Sequence, residues 1–204
     1  MSLKYKITSN PKLKKAVYWL LMSPKWQRPR LWVRFAKRFY TTIGKHSVIS
    51  RKVRWDCGPF HPFTVGEHSI IPDLTTLNNQ VGEIKIGSHV MIGLNNTIMG
   101  PVEIQDHVWL AQNVVLAGLH HIYDDAERIC EFQGDIIGKI LIEHNVWIAA
   151  NTVITQGVTI GHNSVVGANS VVTQDLPPYT LSVGSPAKPI KKFNKETKKW
   201  EKIK

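Results

Sequence analysis

The sequence predicts an all-β chain wound as a parallel β-helix, and three observations predict it. From Ile86 the chain divides every six residues into IGSHVM, IGLNNT, IMGPVE, IQDHVW, LAQNVV and LAGLHH, each opening on an aliphatic residue. After an interruption the frame returns at Ile142 as IEHNVW, IAANTV, ITQGVT, IGHNSV, VGANSV and VTQDLP. Looser copies, IGKHSV from Ile43 and VGEHSI from Val65, precede both runs. A period of six supplies one short strand and one turn, and three periods close a triangular coil whose apolar side only stacked neighbours can bury. The opening aliphatic then points inward, so Ile86, Ile104, Ile142 and Ile160 are expected in one interior column. A β-sandwich would show period-two alternation and turn signals every ~8–12 residues. Neither is present.

The segments follow in order. Residues 1–42 form a basic, partly helical N-terminal segment, with helix expected over Leu13 to Met22 and Leu31 to Tyr40 and breaks at Pro24 and Pro29. Its mixture of Lys, Arg and aromatic residues suits a cap on the first coil or contact with a membrane surface. The β-helix occupies 43–185, interrupted by an inserted loop at 122–138. Such insertions tend to lie on the binding face. Residues 186–204 form a basic C-terminal tail, expected to leave the solenoid and cap its other end.

Charge is divided along the chain. The net charge is +11, yet residues 1–55 hold 15 Lys/Arg and no acid, while 56–187 hold 3 basic residues against 13 acidic ones. Residues 188–204 add 8 Lys and 2 Glu. An acidic body between basic ends is not the pattern of a uniformly basic nucleic-acid module, and no base-stacking motif is recognised. Cys57 and Cys130 have no paired spacing, so neither a disulfide framework nor a thiolate zinc site is expected, in keeping with a reducing cytoplasm. The apolar run Ala16 to Met22, ended by Pro24-Lys25-Trp26, is far short of a membrane span and lacks the small-residue cleavage site of an export signal.

The repeats, the inserted loop with a histidine just before it, and the stretches VWIAANTVI, GVTIG, SVVGANSVVTQDLPPY and VGSPAKPIKK resemble the hexapeptide-repeat acyltransferases over about residues 43–192. That family includes galactoside, maltose and antibiotic acetyltransferases and enzymes that O-acetylate polysaccharide sugars. The resemblance implies a left-handed winding, acetyl-CoA as co-substrate, and a homotrimer whose active sites lie between neighbouring solenoids. It also implies a general base at the end of the last regular hexamer before the loop. In LAGLHH that place is His121, followed by Ile122 and Tyr123, and the H-x-Y spacing favours it over His120. Histidine suits the task because its ordinary pKa lies near neutrality. His120 and Tyr123 are candidates to position the acceptor, and Asp124 or Asp125 to orient the imidazole.

The resemblance places Ala150, Ala168 and Thr173 along the cofactor and Lys188 and Lys191 near its phosphates. Two departures stand out: Gln174 where the family often has Lys, and Met99 where galactoside-type enzymes carry an acid for acceptor hydroxyls. Acceptor recognition must therefore differ, with Asn95 and Asn96 as candidates. His46, His68, His89 and His107 all fill the fourth place of their hexamers, a turn position. γ-Class carbonic anhydrases bind zinc on the same solenoid through three histidines, but no such trio surrounds His121, and no metal is expected. The leading expectation is O-acetylation of a sugar or of a polysaccharide or lipopolysaccharide precursor. Acetylation of an antibiotic or an amino sugar is the enzymatic alternative, and a non-catalytic β-helix scaffold is the alternative of a different class.

Overall fold

A computed structural model describes residues 10–23 and 28–203. The expected break at Pro24 lies outside the described residues. The body is a parallel β-solenoid of about six coils with three faces. The first face is a six-stranded sheet running from Thr41–Ile43 to Thr159–Ile160, and the third another from Arg54–Trp55 to Val171–Val172. The second runs from Val48–Ile49 to Val165–Val166, then gains Thr180–Gly184, Ala187–Asn194 and Lys199–Lys202. Residues beyond Pro186 thus extend this face as antiparallel strands.

The hexamer period becomes register. Val65, Ile86, Ile104, Ile142 and Ile160 are successive partners on the first face and are buried. Two further columns of opening residues, Ile92–Leu110–Ile148–Val166 and Ile98–Leu116–Ile154–Val172, line the other faces. The pairing of Ile104 with Ile142 shows that stacking resumes without slippage beyond the insertion. Fifth places also point inward. Aliphatic residues there join the core, and Ser47, Ser69, Thr152, Ser164 and Ser170 instead donate their hydroxyls to backbone carbonyls. These oxygens thereby keep partners, whereas the buried Thr75 Oγ1, also in a fifth place, has none among the described residues.

Fourth places turn the corners with positive φ. On the corner from first to second face His46, His68, His89, His107, Asn145 and Asn163 all lie between 54° and 60°. On the next corner Asn95, Asn113, Asn151 and Asn169 do likewise. Asn tolerates this left-handed conformation better than most residues because its short amide bonds locally. Here the amides bond along the axis, Asn95 to Asn113 to Asn151 to Asn169. The four histidines stack instead, with ring centroids 4.9–5.1 Å apart.

At the N-terminal end, helix α1 spans Pro11–Leu21 and is capped by the Asn10 side chain, which accepts from Lys12 N and Leu13 N. Helix α2 spans Leu31–Phe35 and passes into a 3-10 turn over Ala36–Phe39. The expected second helix is therefore cut in two. Val33 is the residue of α2 that turns into the protein.

Candidate active site

The insertion leaves the solenoid at the corner from third to first face. Gly118 and Gly138 form its root, joined by a hydrogen bond from Gly138 N to Gly118 O of 3.0 Å. A Cβ at either glycine would lie within 2.7 Å of neighbouring backbone, so larger residues would push the coils apart. Leu119–His121 then pairs antiparallel with Asp135–Ile137 to make a projecting arm. Gly134, with φ of 101°, turns the returning strand into register, and its carbonyl accepts from Ile122 N. Gln133 braces the loop, donating to Asp125 O and Arg128 O and accepting from Asp125 N.

This pairing sets His121 opposite Asp135, and His121 Nδ1 lies 2.5 Å from Asp135 Oδ1. The carboxylate stands within ion-pair distance of a protonated imidazole. The His121 side chain is 65% exposed and that of Asp135 43%. His120 points to the opposite side of the strand, half-buried, its ring centroid 6.2 Å from that of Tyr123. Asp125 serves the loop instead, accepting from Glu127 N. The carboxylate on the imidazole is therefore Asp135 rather than Asp124 or Asp125. Its signal in the sequence was slight, since only hairpin pairing brings it to His121.

Asn96 requires correction. It is 1% exposed, its amide donates to Gly93 O and Ala111 O, and its Oδ1 accepts from Val114 N. As a fifth-place residue it points into the prism and cannot meet an acceptor. Asn95 belongs to the asparagine ladder, on a different corner from the arm.

Of the expected cofactor residues, Ala150, Ala168 and Thr173 flank the third face, whereas Lys188 and Lys191 lie on the closing strands of the second sheet. Ala150 and Ala168 stack on the corner from second to third face, Asn169 N donating to Ala150 O. Lys188 joins them there, because it pairs with Val183, whose side chain packs beside Gly167. Thr173 stands exposed at the far edge of the third face, on the corner from which the arm springs two coils earlier. Lys191, opposite Leu181, lies farther along the closing strands. Val153 and Val171 face outward on the third face of the last coils, between the corner of Ala150 and Ala168 and the corner of Thr173.

The His121–Asp135 pair projects from a solenoid of hexapeptide repeats, the fold class of the hexapeptide transferases. Models of the bacterial transferase hexapeptide (six repeats) and the hexapeptide repeat of succinyl-transferase match residues 139–174 and 83–117. A hexapeptide-repeat-containing acetyltransferase of Vibrio cholerae, crystallised with acetyl coenzyme A, is 30% identical over 79% of this chain and 76% of its own, with a TM-score of 0.52. The chain belongs to the hexapeptide-repeat acetyltransferase family. A probable acetyltransferase of Mycobacterium tuberculosis is 31% identical over 62% of this chain, which spans only 43% of that relative's length. A maltose O-acetyltransferase of Clostridium difficile is 26% identical over 93% of this chain and 89% of its own, with a TM-score of 0.51. AntD, an N-acyltransferase of Bacillus cereus, shares the fold with a TM-score of 0.67 over 80% of this chain and 90% of its own, at 22% identity.

Proposed function

We propose that this protein transfers an acetyl group from acetyl-CoA to a hydroxyl of a sugar or of a polysaccharide or lipopolysaccharide precursor, with His121 as general base. The observation that carries the reading is the His121–Asp135 pair, 2.5 Å apart, on an arm beside the face bounded by Ala150, Ala168 and Thr173. His121 Nε2 takes the acceptor's hydroxyl proton as that oxygen attacks the thioester carbonyl carbon. The new C–O bond forms, the C–S bond breaks, and the imidazolium returns its proton to the departing CoA thiolate. Asp135 holds the ring and offsets its transient charge. The third face between Ala150, Ala168 and Thr173 would take the pantetheine arm, and Lys188 and Lys191 on the closing strands would neutralise its phosphates.

The active form is a homotrimer in the cytoplasm. Val48, Ile70, Met91, Trp109 and Trp147 stand one above another on the outer second face, all exposed in the single chain. A continuous apolar stripe of this kind supports burial against a neighbouring solenoid. That neighbour supplies the second wall that the open site beside His121 needs.

Thiol release from acetyl-CoA, measured against a panel of sugars, amino sugars and antibiotics, tests the reading. His121→Ala lowers turnover about 10²- to 10⁴-fold while leaving the oligomer and its melting temperature unchanged. Normal turnover by that variant removes the assignment, and transfer confined to amino sugars or antibiotics replaces the acceptor class.

A further inference from the structure

We propose that the N-terminal cap docks this protein onto an anionic phospholipid bilayer surface, the cleft between Arg34, Lys37 and Arg51 receiving lipid phosphate. The inference stands apart from the acetyl-transfer reading and uses none of its residues.

The two helices of the cap form one surface. Arg30 ties them together: its backbone N donates to Leu21 O, its Nε donates to Trp19 O, and its guanidinium sits 4.9 Å from the Trp19 ring centroid. Around this junction Trp19, Leu20, Leu31, Trp32, Phe35 and Phe39 are each more than half exposed, Phe35 reaching 84%. Leu31 and Phe35 are one helical turn apart and share a side of α2, while Val33 faces inward. Large side chains left in water at this density mark a contact surface.

Charge selects the partner. No acidic residue precedes Asp56, so few cations of this region find a carboxylate. Arg28 and Arg54 pair with Asp56, and Lys52 pairs with Asp73. Arg34, Lys37, Arg38 and Arg51 have no carboxylate within ion-pair distance among the described residues. Three of these line a cleft of about 320 Å³ whose rim includes Leu31 and Phe35 and whose floor includes Trp55. Lys37 Nζ lies 5.2 Å from the Trp55 ring centroid, and cations without a carboxylate partner, ringed by apolar side chains, match an anionic headgroup above acyl chains. A second copy of the cap would bring like charge against like. Among the described residues no helix is long and apolar enough to cross a membrane. The cap sits on the first coil, whereas the arm leaves the fourth, and docking leaves His121 accessible.

The test is co-sedimentation of the full chain with phosphatidylcholine–phosphatidylglycerol vesicles and with phosphatidylcholine alone. Binding is expected to the anionic vesicles only, weakening as salt rises. Arg34→Glu with Arg51→Glu lowers the partition coefficient by about fivefold or more per cation lost. Trp32→Ser with Phe35→Ser lowers it by a similar total, and both variants keep the wild-type melting temperature. No binding by the wild type, equal binding to neutral vesicles, or full binding by both variants overturns the proposal. So does a fall in oligomer size in the variants, which assigns the surface to contacts between copies of the chain.

Discussion

Replacing Asp135 by Asn isolates what the carboxylate does for His121. Two unit charges ~4 Å apart interact by ~1 kcal/mol in bulk water and ~4 kcal/mol at an effective dielectric of ~20. With the imidazole 65% and the carboxylate 43% exposed, solvent screening holds this pair toward the watery end. Stabilisation of the imidazolium is then about 1–2 kcal/mol, or about 5- to 30-fold in kcat. Asn keeps the size of the side chain and removes only its charge. The expected loss falls far below the ~10⁴ seen when a buried triad aspartate is replaced. Steady-state thiol release at saturating acetyl-CoA and acceptor measures it, and the KM for acetyl-CoA stays at its wild-type value. A loss beyond about a thousandfold, or none at all, refutes the reasoning.

Asn96→Ala leaves two carbonyls and one N–H of neighbouring corners without partners and costs roughly 3 kcal/mol, read by chemical denaturation, while turnover persists. Cys57 is buried, which pushes its thiol far above the ordinary range, and Cys130 is exposed. A maleimide should therefore label one thiol per native chain and two after unfolding. Lys139 and then Lys85 donate to Glu103 and hold its carboxyl below the usual glutamate range. A depressed carboxylate contributes stability above its unfolded pKa and loses it as pH falls. Thermal melts should drop more steeply below about pH 4.3 for the wild type than for Glu103→Gln, the two converging in strong acid.

The solenoid was legible because its period is local. An aliphatic residue every sixth place sets the column that Ile86, Ile104, Ile142 and Ile160 fill. The fifth place was readable by the same logic: Val90, Val108 and Val146 fill it in other hexamers and are buried, so Asn96 should have been placed inside. The histidine before the loop was found through resemblance to a motif. Asp135 was not, because antiparallel pairing across an irregular loop leaves no spacing to read. The apolar stripe of the second face was hidden for another reason. Its members occupy sixth places filled elsewhere by Thr, Glu and Val, so the apolar column emerges only when the sixth places of every third hexamer are compared.

The two glycines at the root of the arm lie one hydrogen bond apart, so the chain departs and rejoins the prism at practically one point. What is threaded between them has no bearing on how the turns above and below align. The excursion can grow, shrink or be exchanged while the scaffold keeps its geometry. The arm is thus a detachable module, and transplanting residues 119–137 tests whether acceptor preference travels with it.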